Sequence, residues 1–309
     1  MTFFSEKGGV GKTSFTIMYA SWLRYNHGVK VGVCDFNERL VSYRKTELEK
    51  VETINRQIEK GERKGATVVI DTQEAWPILS LSEPERRRIM RMHDDLKGKE
   101  CAWWLEQALK TKFKDMDVVL LDFPGAISEG SFRQILVRNM IGLTVIPTDN
   151  DTQTIASTLQ LHSLLSECHE RMKGRIAADH CAFINCIRLS NAKTGYEKMA
   201  RAYEQDGLRV LPDMLSFSEQ MKKISEPDIM RSTLRKAVFS ESVRTTKDIG
   251  TDNLFIDITR ELARVPDLEG TGTAALSFVE GLSKTPDDKR QLHGTMFSEY
   301  EIPYRYAKD

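Results

Sequence analysis

The segment Lys7-Gly8-Gly9-Val10-Gly11-Lys12-Thr13-Ser14 constrains this 309-residue chain more than any other stretch. It follows a short apolar strand predicted near Thr2 to Phe4 and opens a helix predicted from Lys12 to about Asn26. That setting, strand then glycine-rich turn then helix, is what a phosphate-binding loop requires. Glycines permit backbone angles that other residues avoid and let successive N–H groups point inward, while the helix N-terminus adds partial positive charge. The residues expected to cradle phosphate are Gly8, Gly9, Val10, Gly11, Lys12, Thr13 and Ser14. Lys12 would meet the β- and γ-phosphates and the Thr13 hydroxyl would complete a Mg²⁺ shell, so ATP and Mg²⁺ are the implied cofactors.

The rest of the chain agrees with a loop of this kind. Short runs rich in β-branched residues alternate with longer stretches of helical period, the pattern of a doubly wound, mostly parallel α/β sheet. Strands are expected near residues 2–4, 30–34, 67–71, 117–122, 143–147, 181–185 and 209–211, about seven or eight in all, with helices on both faces. Helices are expected over 38–60, 151–172, 192–205, 216–224 and 240–264, and as a pair over 83–110 broken at Gly98, with Ser82 as N-cap. Residues 1–265 read as one nucleotide-binding domain and 266–309, rich in Gly, Thr, Pro and Asp, as a loosely packed extension. Lys plus Arg and Asp plus Glu number 45 each, so attraction to nucleic acid or an anionic membrane would have to come from a local patch. Five scattered cysteines form no metal-ligand pattern and suit a reducing cytoplasm; no run reaches the roughly 20 apolar residues of a membrane span.

Two acids at predicted strand ends come next. Val118-Val119-Leu120-Leu121 leads into Asp122, then Phe123-Pro124-Gly125; Val31-Gly32-Val33-Cys34 leads into Asp35, then Phe36-Asn37. An isolated acid after a strand is commonly a turn former, but ligands collect at the C-terminal ends of parallel strands. Asp122 is therefore expected to hold Mg²⁺ through a water.

Where an ordinary phosphate loop has its first glycine this chain has Glu6, followed by an additional lysine, Lys7. Lys7-Gly8-Gly9-x-Gly11-Lys12-Thr13 resembles the deviant loop of the ParA/MinD family of dimerising ATPases. The resemblance spans roughly residues 1–264 and implies that Lys7 reaches the nucleotide held by the partner subunit of a homodimer. It further implies that the 118–125 segment is a Walker B strand and that Asn185 contacts the adenine. Asp35 matches the family's water-orienting segment in one of two alignments. Either Asn37 stands where the second acid belongs, or Val33 has replaced the first. Lys7, Lys12 and Asp35 are accordingly the expected catalytic residues.

Within that family the chain lacks paired bridging cysteines and a basic C-terminal membrane helix, which leaves the partition branch. The resemblance then implies an ATP-state dimer that binds DNA nonspecifically, a ParB-like stimulating partner, and a cytoplasmic, nucleoid-associated protein. Lys222, Lys223, Arg231, Arg235, Lys236, Arg244 and Lys247 are the expected DNA surface. The alternatives are a metabolic enzyme of the dethiobiotin or cobyrinate synthetase type and a nucleotide-binding module with little turnover. Trp103 and Trp104 in the 83–110 stretch read as core anchors.

Overall fold

The computed structural model describes residues 1–27, 29–36, 40–41, 49, 52–53, 56–57, 59–62, 69–70, 76–124, 127–172, 179–185, 193–213, 251–265 and 307–308. In chain order the elements are β1 (Thr2–Phe3), α1 (Lys12–Ser21), β2 (Val31–Asp35), β3 (Val69–Ile70), β4 (Ile78–Ser80), α2 (Glu83–Met90), α3 (Asp94–Lys110) and β5 (Val118–Asp122). They continue with α4 (Glu129–Leu136), β6 (Leu143–Thr148), α5 (Thr152–Arg171), β7 (Asp179–Ile184), α6 (Lys193–Gln205), α7 (Thr251–Arg264) and β8 (Ala307–Lys308). One parallel sheet carries the order β4-β2-β5-β1-β6-β7.

The central strands are buried on both faces, as continuous apolar runs in a parallel sheet require. Alternation along each strand sends side chains to two separate cores. Val31, Val33, Val118, Leu120 and Val145 join α1 and the α7 residues Leu254, Phe255 and Ile258 on one face. Cys34, Leu121, Ile146 and Ala182 meet Ala102 and Leu105 of α3, Phe132 of α4 and Leu161 of α5 on the other. Gly32 is the one β2 position with no room for a side chain on that second face, since a Cβ there would lie 2.4 Å from the Phe113 ring. The Tyr19 hydroxyl and Thr259 Oγ1, 2.8 Å apart, tie α1 to α7.

Several expectations are corrected. Among the described residues the main sheet has six strands rather than seven or eight. Its edge is the unforeseen β4, whereas Val69–Ile70 of the expected 67–71 strand pairs antiparallel with Ala307–Lys308 outside the main sheet. The expected strand at 209–211 reduces to one bridge between Val210 and Ala182. The break in the 83–110 pair falls at Arg91–His93, and Gly98 lies inside α3, where a Cβ would stand 2.6 Å from the Ser131 carbonyl oxygen of α4. Glycine there serves close helix packing, at a cost in helix propensity of about 1 kcal/mol. Ser82 does cap α2, in a capping box with Glu85. Trp104 packs against the core with its ring edge-on to Phe36, but Trp103 is 56% exposed and anchors nothing there. The expected helix at 216–224 and the cations from Lys222 to Lys247 lie outside the described residues, as does the extension beyond residue 265 apart from Ala307–Lys308. No helix among the described residues is long and apolar enough to cross a membrane.

At the start of β7, His180 and His162 of α5 share a hydrogen bond of 2.7 Å, and His162 Nε2 lies 3.1 Å from the Asp206 carbonyl oxygen. That carbonyl can only accept, so His162 donates to it through Nε2. Burial, then the neighbouring His162, lowers the His180 pKa from 6.5 to about 4. A depressed histidine stabilises the fold above its unfolded pKa and loses that contribution as pH falls toward the folded value. Denaturant midpoints should therefore drop between pH 6.5 and 4, by at most about 1.4 kcal/mol per unit. His180→Gln should flatten this slope, and a wild-type midpoint unchanged over that range would contradict the burial argument.

Candidate functional site

The loop from Lys7 to Lys12 leaves the C-terminal end of β1, the central strand, and turns into α1. Gly9 and Gly11 have φ of 79° and 98°, angles that a side chain would strain. Gly11 is the N-cap of α1, and a Cβ on it would approach the Phe15 ring to 2.9 Å. The Lys12 ammonium folds back over the loop and donates to the Lys7 carbonyl oxygen at 2.9 Å. Thr13 donates its hydroxyl to the Asp122 carboxylate, with Oδ2 at 2.9 Å and Oδ1 at 3.1 Å. The sequence motif and the acid 109 residues away are thus in direct contact. Asn185 donates from Nδ2 to the Val10 carbonyl oxygen at 3.1 Å, so it also touches the loop.

The β2–β5 register sets Asp35 opposite Asp122, and both are fully buried. Asp35 is engaged elsewhere, however. Its Oδ2 accepts from the Leu40 and Val41 amides at 3.0 and 3.3 Å and from the Ser80 hydroxyl at 3.3 Å. Here the carboxylate caps the helical turn at Leu40. Asn37 lies outside the described residues.

Lys7 pairs with Asp151, the N-cap of α5, whose Oδ1 also accepts from the Gln153 and Thr154 amides at 3.0 and 3.2 Å. The hydrogen bond from Lys7, then the amide of Thr154, hold the Asp151 carboxyl below the usual carboxylate range. Asp149, Asn150, Asp151 and Thr152 face Gly9, Val10 and Asn185 across a cavity of about 400 Å³. This acidic lip was not foreseen in the sequence. The available signal was an acid at a helix start shortly after a largely apolar strand, in the region where parallel sheets place their ligands.

A glycine loop, its lysine, a helix N-terminus and a strand-end acid bonded to the loop threonine converge at the C-terminal edge of a parallel sheet. The fold is that of a P-loop NTPase. No family model matches the sequence, and no curated protein matches it. Solved structures similar to the chain include a plasmid partition protein from Borrelia burgdorferi, at 18% identity over 75% of this chain and 94% of that one, with a TM-score of 0.45. MinD cell division protein of Aquifex aeolicus is similar at 19% identity over 84% and 94%, with a TM-score of 0.46. Cobyrinic acid a,c-diamide synthase of Mycobacterium smegmatis, solved with ADP and magnesium, is similar at 18% identity over 76% and 95%, also with a TM-score of 0.46.

The residues fit a nucleotide and its metal. The glycine loop at the N-terminus of α1 and the Lys12 ammonium suit a triphosphate, and Thr13 with Asp122 could serve a Mg²⁺ that the triphosphate brings with it. Among the described residues no group of three or more His, Cys, Asp or Glu could hold a metal by itself, so phosphate and water would have to supply the remaining ligands. The Thr13 hydroxyl satisfies a buried carboxylate. Thr13→Val, which keeps the shape, should cost about 1–3 kcal/mol in denaturant unfolding without nucleotide. Unchanged stability would show that this bond does not form in solution.

Proposed function

We propose that the chain is an ATP-dependent dimerising ATPase of the ParA/MinD type that acts in DNA partition or segregation. The observation that carries this reading is Lys7. A loop that needs only Lys12 for its own phosphates carries a second lysine at its rim, held at the cavity mouth by one exposed acid. An exposed ion pair is worth about 0–1 kcal/mol, so Lys7 can leave Asp151 at little cost. Two nucleotides facing each other across an interface bring several negative charges close together, and a cation supplied by each subunit offsets that repulsion. Lys7 is that cation, acting in trans.

On this reading the loop amides and Lys12 bind the β- and γ-phosphates, Thr13 and Asp122 orient the metal's ligands, and Asn185 borders the base. When bound, Mg²⁺ neutralises charge developing on the phosphates. Asp35 lies at the neighbouring strand end, but its carboxylate already accepts hydrogen bonds from two amides and a hydroxyl, which makes it a weak base. Hydrolysis is therefore slow until Asp35 is released, which suits a switch whose partner triggers turnover. The DNA surface is the cation group from Lys222 to Lys247. Charge-neutral overall, the chain would use that patch only when two copies present it together.

Lys7→Ala should bind ATP as a monomer nearly as well as the parent, because Lys12 and the loop amides remain. It should fail to form an ATP dimer in light scattering on an Asp35→Ala background, and it should lose salt-sensitive, ATP-dependent retention on nonspecific DNA. A Lys7→Ala protein that dimerises like its parent would overturn the reading and favour the metabolic alternative.

A further inference from the structure

The 83–110 stretch takes no part in the nucleotide site, yet its outer face is unlike an ordinary solvated surface. On α2, Pro84, Arg87, Arg88 and the C-cap Arg91 follow the i, i+3, i+4, i+7 spacing of one helix face and line a concavity of about 550 Å³. Beside it, α3 carries Leu96 and Trp103 on one stripe two turns apart, 55% and 56% exposed. Between them on that stripe, Glu100 accepts from Arg88 at 3.1 Å and joins the two faces. Arginine and tryptophan are the side chains that most often dominate protein interfaces, the first through forked bonds to carboxylate and the second through rigid apolar area.

We propose that this α2–α3 face is a docking surface for an acidic amphipathic helix of a partner protein. Carboxylates on one side of that helix enter the arginine-lined concavity, and apolar residues on its other side cover Leu96 and Trp103. Charge decides against nucleic acid. A phosphate backbone needs an unbroken cationic track, and Glu100 and Glu106, paired with Arg88 and Lys110, interrupt this one. A short helix can place its carboxylates at the Arg91 end of the concavity, one turn away from the Arg88–Glu100 pair. Leu96 also adds apolar area that a protein helix can bury and a sugar-phosphate chain cannot.

The surface has a physical route inward. Trp104, adjacent to the exposed Trp103, lies edge-on to Phe36 with centroids 5.1 Å apart, and Phe36 stacks on Phe123 at 4.7 Å. Phe36 follows Asp35 and Phe123 follows Asp122, so a load on the outside of α3 bears on the residues that carry both acids.

The test is fluorescence anisotropy of two labelled synthetic helices, one with Glu opposite Leu and the other with Lys in place of Glu, titrated with the full chain. A labelled single-stranded oligonucleotide serves as a third probe. The Glu helix should bind saturably, release in high salt, and weaken at least about tenfold both in Arg87→Glu with Arg91→Glu and in Trp103→Ala, a loss of about 1.4 kcal/mol. All three positions are exposed, and unfolding midpoints matching wild type would confirm that the variants fold; if the double reversal does not fold, Trp103→Ala alone decides. No binding of the Glu helix, equal binding by folded variants, or preference for the Lys helix or the oligonucleotide would overturn the proposal. The assay needs no nucleotide, so its failure is separable from failure of the ATPase reading.

Discussion

The whole site hangs from a two-residue strand. β1 lies between β5 and β6, with Thr2 in register with Leu121 on one side and Thr144 on the other. Phe3, its second residue, is fully buried, and the Thr2 hydroxyl donates to the Leu121 carbonyl at 2.8 Å. Because neighbours clamp it on both edges, so short a strand holds its direction, and the loop that follows must emerge beside the end of β5. The contact between Thr13 and Asp122 is the consequence. Without that clamp the glycine loop would be a mobile turn, and its amides would have to be ordered at each binding event at an entropic cost of about 1–2 kcal/mol per residue.

The second consequence is aromatic. Each of the two buried acids is followed by a phenylalanine, and these rings leave the sheet on the face covered by α3 and α4, where Phe4 stacks on Phe132 at 3.9 Å. Offset and edge-on aromatic pairs favour particular geometries by about 0.5–1.5 kcal/mol beyond their buried area. Phe36 and Phe123 thus give the strand ends a fixed backing on the side away from the loop. The acids are oriented from behind by packing and from the front by hydrogen bonds. A change in either reaches the other through one residue.

What was legible in the sequence was what depends on local pattern or on burial from both faces. The loop carries its own conformational demands in glycine, and the central strands read as continuous apolar runs. Edges were harder. Ile78–Ser80 is a short, half-buried strand with no distinctive period, and the 209–211 segment, which opens on the ion-paired Arg209, makes one bridge to β7. Gly98 signals a helix break by propensity, but tertiary contact with Ser131 overrides it. Trp103 and Trp104 are indistinguishable in composition, and only the helix phase fixed by Cys101 and Leu105 turns one inward and the other out. At the site, the contact of Lys12, Thr13 and Asp122 with the loop followed from motif and strand end together. Asp35 accepts from Leu40 and Val41 five and six residues on, but its bond from Ser80 and the capture of Lys7 by Asp151 join residues 45 and 144 apart and leave no local trace.

The central claim is that this loop is where a nucleoside triphosphate binds, and Lys12 is the side chain on which that claim rests most directly. Its ammonium donates to a loop carbonyl and takes no part in the Thr13–Asp122 contact, so replacing it with alanine leaves that contact and the core in place. Isothermal calorimetry of ATP with Mg²⁺ should give a clear binding isotherm for the parent and none for Lys12→Ala at the same concentrations, with both proteins unfolding at similar midpoints. Binding of comparable affinity in the folded variant would show that the nucleotide is held elsewhere and contradict the account.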